Sequence, residues 1–225
     1  MKLSSDKKTG LVIFSDFDGT ISLTDIGNRM FHHFSGGQSD EPVKRWRNDQ
    51  IDSRQCLLEE AALMRDVTES ELMTYIDSFE IDKGFKEFAE FARQHHWPLY
   101  VLSDGLDLYI DRLLRKNNLD YLPVMANQAR LEAGRLKINW PYLDNSCGSC
   151  GNCKGYHVRR FRGENQIAVY IGDGKSDLCA LPETDLIFAK AFLADYCRCH
   201  EIDFVFFNNF ANVVSELERR YAHLL

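Results

Sequence analysis

The sequence predicts a parallel α/β fold whose sheet is interrupted early by a block of helices. Three short apolar runs each end in acids or glycine, a helical stripe separates them, and a helical segment too long for a simple crossover lies between the first two.

The first run, Leu11 to Ser15, is continuously apolar, as a strand buried on both faces requires, and it opens directly into Asp16. Pro98 to Leu102 repeats the pattern ahead of Ser103-Asp104-Gly105, and Ile167 to Ile171 repeats it ahead of Gly172-Asp173-Gly174. Between them, Gly84 to His95 sets Phe85, Phe88, Ala89 and Ala92 on one helical face. Such alternation builds a parallel sheet with its functional loops at the strand C-terminal ends.

From Thr24 to about Asp82 the periodicity is helical throughout. Ile26, Met30 and Phe34 share a face, Cys56 to Met64 is a second amphipathic stretch, and Thr68-Glu69-Ser70-Glu71 forms a capping box ahead of Leu72, Tyr75, Ile76 and Phe79. The expected division is a core of residues 1–22 and 83–225 with an inserted helical cap of residues 23–82. In the segment from Asp120 to Pro141, Leu131 and Leu136-Lys137-Ile138 flank Glu132-Ala133-Gly134-Arg135, which predicts a β-hairpin beside the sheet.

At 225 residues, 44% hydrophobic and 27% charged, the chain suits one globular unit with a small insertion. Its formal net charge of −7 gives no overall attraction to nucleic acid or an anionic membrane. No run approaches the ~20 apolar residues of a membrane helix. The polar stretch from Met1 to Gly10 and the shortness of Leu11 to Phe14 lead to an expected cytoplasmic location. Seven cysteines without an export signal favour free thiols or metal ligation over a disulfide framework.

The chemistry sits at the element boundaries. Asp16-Phe17-Asp18-Gly19-Thr20 leaves the first strand with both carboxylates on one loop, Ser103 ends the second strand, Lys154 precedes a helix expected from near Tyr156, and Asp173 and Asp177 follow the third strand. Taken singly, each has a bland role: an acidic turn, a helix cap, a solvated lysine, a turn former beside glycine. Those roles do not explain why all four features stand, in this order, where one crevice would gather them.

This four-part pattern, from about Leu11 to Lys190, resembles the haloacid dehalogenase superfamily in its phosphoserine phosphatase-like branch. The resemblance implies a Rossmannoid parallel-sheet core with a C1-type helical cap. It implies magnesium-dependent hydrolysis of a small phosphorylated metabolite through an aspartyl phosphate on Asp16. Asp18 would act as general acid and base; Ser103 and Lys154, with Asp104 and Gly105, would bind phosphate; the metal would take Asp16, the Asp18 backbone carbonyl and Asp173, with Asp177 behind them. Asp25, nine residues after Asp16, would contact substrate from the cap, or else cap the first cap helix. Asp16 to Ile21, Ile138-Asn139-Trp140-Pro141 and the Cys-rich approach to Lys154 resemble phosphatases acting on 2-hydroxy-3-keto-5-methylthiopentenyl 1-phosphate in methionine salvage. Ser103-Asp104 and Gly172-Asp173-Gly174 with Asp177-Leu178-Cys179 lean toward phosphoethanolamine/phosphocholine phosphatases, and phosphoserine is a third substrate.

Cys147, Cys150 and Cys153 form C-x-x-C-x-x-C immediately before Lys154. Zinc at this loop would need a fourth ligand from His157, Cys179, Cys197 or Cys199. A redox-sensitive pair and plain packing are the alternatives, and the spacing does not separate them. Arg45, Arg47 and Arg54 are cap cations most simply read as a solvated face, and the histidine pairs His32-His33 and His95-His96 carry no assigned chemistry. Two other functional classes stand beside hydrolysis: a non-catalytic metal- or partner-binding protein on the same fold, and a phosphotransferase sharing the aspartyl-phosphate step. The pattern says nothing of oligomeric state.

Overall fold

The computed structural model describes residues 10–143 and 147–224. A seven-stranded sheet in the order β4-β3-β2-β1-β5-β6-β7 forms its centre. Strand β1 (Gly10–Ser15) lies in the middle, parallel to β5 (Gln166–Gly172) from Gly10↔Gln166 to Ser15↔Ile171, and parallel to β2 (Leu99–Leu106) on its other side. These strands are buried on both faces, which explains their continuous apolar runs. The register puts Asp16 beside the Gly172-Asp173 turn, and a hydrogen bond donated by the Asp16 N–H to the Ile171 carbonyl at 2.9 Å carries the pairing into the site.

Strand β3 (Val124–Glu132) pairs parallel with β2 and antiparallel with β4 (Arg135–Asn139). The predicted hairpin therefore exists as an extension of the main sheet rather than a unit beside it. Where β2 meets β3 the register shifts between Leu102 and Leu106, an irregularity of the kind that re-aims side chains, and it falls on Ser103, Asp104 and Gly105. Strands β6 (Leu186–Ala189) and β7 (Val205–Phe206) complete the other edge.

The segment between β1 and β2 folds as α1 (Ile26–Phe34), α2 (Asp40–Arg47), α3 (Ser53–Leu63), α4 (Glu69–Asp77) and α5 (Lys83–Gln94). Asp25, Asp52, Thr68 and Asp82 each cap the helix that follows, and Thr68 with Glu71 closes the predicted capping box. Helix α2 has no apolar stripe to announce it. Acids in its first turn and Lys44, Arg45 and Arg47 in its last complement the helix dipole, and only Pro42 and Val43 are buried. The apolar faces of α1, α3 and α4 join the same buried cluster as β1 and α5, so Ile26, Met30, Leu57 and Ile76 share a core with Ile13 and Phe85.

Four further helices follow: α6 (Asp107–Lys116), α7 (Lys154–Phe161), α8 (Ala191–Cys199) and α9 (Phe210–Tyr221). A 3₁₀ segment, Lys175–Glu183, links β5 to β6. Helix α9 locks onto α5 through Phe210, whose ring centroid is 4.8 Å from Phe85 and 5.0 Å from Phe88. Replacing Phe210 with Ala should cost ~3–5 kcal/mol in urea unfolding, the usual penalty for an aromatic cavity; a loss below ~1 kcal/mol would show that this aromatic cluster does not anchor α9.

Candidate active site

The sheet delivers three loops to one point. Asp16 follows β1, Ser103 ends the regular part of β2, and Asp173 follows β5, while α7 presents its first residue, Lys154, from below. Lys154 is fully buried, and its Nζ donates to Asp16 Oδ1 and Asp177 Oδ1, each at 2.5 Å, and to Ser176 Oγ at 3.1 Å. Burial alone would strip the ammonium of its proton, but Asp16 and Asp177 outweigh it and hold the lysine well above its ordinary range.

Asp177 is fully committed. Its Oδ1 also accepts from the Tyr170 hydroxyl at 2.6 Å, and its Oδ2 accepts from the amides of Asp173 at 3.0 Å and Gly174 at 2.8 Å. Four donors saturate this carboxylate, so it fixes both Lys154 and the Asp173 turn. Asp173 Oδ1 accepts from Thr20 Oγ1 at 2.6 Å. Burial, then the charge of Asp177, pushes Asp173 up to about 6; burial also raises Asp16, with Lys154 opposing. Gly19, at φ 78°, must be glycine, because a Cβ there would stand 2.5 Å from Asp173 Oδ2.

Asp18 is held differently. Its Oδ1 accepts from the amides of Ile26 at 2.9 Å and Gly27 at 3.4 Å, the first turn of α1, and its Oδ2 accepts from Tyr109 at 2.7 Å and Ser103 at 3.3 Å. Burial and the neighbouring Asp25 nevertheless push it up to about 7. Asp25 caps α1, its Oδ1 accepting from Asn28 N at 2.8 Å, and it also lines the cavity with Asp18.

The acids Asp16, Asp173 and Asp177 bring ligand oxygens within 4.8 Å of one another, a cluster able to hold a cation. Above it lies a cavity of about 170 Å³. Its floor is Asp16, Asp18, Ser103 and Asp173, and Phe31, Val43, Trp46, Cys56, Leu57 and Glu60 of α1, α2 and α3 form the opposite wall. Cys56 is buried on α3 and also lines the cavity, its Sγ 3.7 Å from Glu60 Oε2. Asp104 also reaches the cavity, but its carboxylate accepts from Asn152 N at 2.7 Å and Asn127 Nδ2 at 3.3 Å, and the Gly105 amide is spent on Ser103 Oγ at 2.9 Å. Arg45 pairs with Glu59 at 2.7 Å and Arg54 lies 3.8 Å from Asp52, as a solvated face would have it.

Thr20, Tyr109, Tyr170, Asn152 and Glu60 were not singled out from the sequence. Thr20 is signalled only by its place after Asp18-Gly19, Tyr170 only by its place in the strand run; Tyr109, Asn152 and Glu60 carry no local signal.

The family model described as Putative Phosphatase matches residues 11–192, and the chain belongs to that family, in the phosphoserine phosphatase-like branch of the haloacid dehalogenase superfamily. It is a phosphoric monoester hydrolase. A 2-hydroxy-3-keto-5-methylthiopentenyl-1-phosphate phosphatase of Bacillus thuringiensis (strain Al Hakam) is 28% identical over 216 residues, covering 95% of this chain and 96% of the relative. One of the same name from Bacillus cytotoxicus is 26% identical over 209 residues, covering 92% and 95%. Among solved structures, a phospho-aspartyl intermediate analogue of phosphoserine phosphatase superposes with a TM-score of 0.73 at 17% identity, covering 93% of this chain and 99% of the other. Phosphoserine phosphatase from T. onnurineus gives 0.69 at 17% identity, covering 96% and 98%.

Glu60 offers a test of the cavity's electrostatics. Burial, then the charge of Asp25, raises it from 4.5 to about 8. A raised carboxyl contributes stability that is fully present below pH 4.5 and is lost as the pH climbs through about 8. In urea unfolding, wild-type stability should therefore fall relative to Glu60→Gln by up to ~1.4 kcal/mol per pH unit between pH 5 and 8. A pH-independent difference would mean that Glu60 is ionised in the cavity.

Proposed function

We propose that this hydrolase cleaves a small phosphomonoester with Asp16 as nucleophile, and that the substrate is 2-hydroxy-3-keto-5-methylthiopentenyl 1-phosphate. The observation that carries the reading is the buried contact of Lys154 with both Asp16 and Asp177 beneath a cavity floored by Asp16, Asp18 and Asp173. Helices α1–α4, within residues 23–82, serve as the cap that encloses substrate.

Magnesium fits the donor set. Asp16 and Asp173 offer hard carboxylate oxygens, and both are pushed up by burial and by neighbouring acids, as expected where negative charge exceeds what Lys154 neutralises. Asp16, Asp173 and the Asp18 backbone carbonyl would hold the ion, while Asp177 stays outside the ligand set because its four donors already saturate it. When bound, magnesium supplies the positive charge that lets a phosphate dianion approach a carboxylate.

The chain's own residues do the rest. An Asp16 carboxylate oxygen forms the bond to phosphorus as the ester P–O bond breaks, and the leaving oxygen takes its proton from Asp18. Burial, which holds Asp18 up to about 7, keeps a proton on it for that step. Asp18, now a carboxylate, then accepts a proton from the water that attacks the aspartyl phosphate, releasing phosphate and restoring Asp16. Lys154 and Ser103 hold the phosphoryl oxygens as charge builds on them. Tyr109 and the α1 amides fix where Asp18 can deliver its proton.

The cavity wall supports the salvage substrate. Phe31, Val43, Trp46 and Leu57 suit a methylthio chain, and Glu60, protonated at neutral pH, suits a neutral hydroxyl or keto oxygen. Phosphoserine is disfavoured: among the described residues lining the cavity the cation is Lys175, whose Nζ is already bound to Asp49 at 2.6 Å and to the Trp46 carbonyl at 2.9 Å. Phosphoethanolamine or phosphocholine remains the second reading, because Asp25 and Glu60 beside Trp46 offer acids and an aromatic face to a cation.

Phosphate release from these four compounds, with and without magnesium, tests the reading. The salvage ester should give the highest kcat/KM, and Asp16→Asn should lower turnover more than ~1000-fold while the protein stays folded by circular dichroism. Preference for phosphocholine would move the assignment to the second reading, and a folded, fully active Asp16→Asn would remove the nucleophile.

A further inference from the structure

We propose that Cys147, Cys150, Cys153 and Cys179 form a closed four-thiolate site for a structural zinc ion, separate from the acidic cluster at Asp16 and Asp173. The loop supplies three sulfurs and the 3₁₀ segment after β5 supplies the fourth. Cys147 Sγ lies 3.3 Å from Cys150 Sγ. Cys150 is in side-chain contact with Cys153 and Cys179, and Cys153 with Cys147 and Cys179. Sulfurs 2.3 Å from a common centre at tetrahedral angles would be ~3.8 Å apart, so the 3.3 Å approach of Cys147 to Cys150 is near that spacing, and Cys179 lines the same cleft as both.

Of the four candidates for a fourth ligand, Cys179 alone is in contact with the loop thiols among the described residues. His157 Nε2 faces Asn152 Oδ1 at 2.6 Å, Cys197 is buried in an apolar cluster with Leu181, Ile187 and Leu193, and Cys199 is exposed. The surroundings favour thiolates. The backbone N–H of Tyr156 is turned to the Cys153 sulfur and that of Gly155 to the Cys179 sulfur, both from the positive end of α7. Soft sulfur ligands select zinc over the hard cation expected at the carboxylates.

The site has a mechanical purpose. Cys153 precedes Lys154, and Cys179 follows Asp177 by two residues, so an ion joining them clips together the two segments whose side chains meet in the Lys154–Asp177 bond. Their backbones touch here: a Cβ at Gly155 would collide with the Cys179 carbonyl oxygen. The same loop reaches the cap, since the Ser149 carbonyl accepts from Ser53 N at 3.2 Å and Ser53 Oγ at 3.1 Å. Zinc would thus hold Lys154 in register with Asp177 without touching substrate.

Metal content of the full chain, purified without affinity metals and dialysed, is the test. Mass spectrometry of the elements should find about one zinc per chain, falling below ~0.1 in Cys179→Ser and in the surface variant Cys147→Ser. Asp173→Asn and Cys197→Ser should keep it. Cobalt reconstitution should give an intense near-ultraviolet sulfur-to-cobalt band, absent in Cys179→Ser, and zinc chelation should lower Tm. Should Cys179→Ser not fold, Cys147→Ser and the cobalt spectrum decide. Zinc-free protein with four reactive thiols, a disulfide among these cysteines on peptide mapping, or zinc retained in Cys147→Ser would overturn the site.

Discussion

The structure depends on one buried lysine shared by two carboxylates. Lys154 has no access to water, and leaving its charge unpaired would cost several kcal/mol, so the fold must bring Asp16 and Asp177 to it. That requirement sets the relation of β1, which ends in Asp16, to α7 and to the segment after β5. Asp177 passes the constraint on through Tyr170 and the Asp173 and Gly174 amides, so the turn carrying Asp173 is fixed by the same contact. The site is built as an electrostatic knot within a hydrophobic sheet.

The second organising contact joins the helical segment to that knot. Asp18 lies between the α1 amides on one side and Tyr109 and Ser103 on the other, so its orientation depends on how α1 sits over the sheet. Because α1, α3 and α4 share the main hydrophobic cluster, the position of Asp18 is tied to the packing of the whole molecule. Asp18, the proposed proton donor and acceptor, is touched by residues of α1 and of the sheet side, whereas Asp16 and Asp177 are held by the sheet side alone.

Much of this could be read before the fold was seen. Asp16, Asp18, Ser103 and Asp173 were legible because each ends or follows an apolar run, and a parallel sheet sends such ends to one edge. Lys154 gained meaning only from its order among them. Tyr109 was not legible, since its contact with Asp18 spans 91 positions, and neither was Thr20 as the donor to Asp173 across 153. The helical reading of residues 24–82 covers α2 without marking it off, because α2 lacks an apolar stripe; β7 is two residues long, and nothing local says that β3 pairs with β2 as well as with β4. Glu60 reads as an ordinary helix-surface acid until the cavity buries it.

The account centres on a covalent bond to Asp16, and trapping that bond tests it most directly. Acid-quenching the enzyme during turnover, reducing with borohydride and mapping the peptides should convert Asp16 to homoserine, and only when substrate is present. Homoserine at another aspartate, or an unreduced Asp16 under conditions where turnover is verified, would contradict the role assigned to the residue around which Lys154 and the whole sheet edge are arranged.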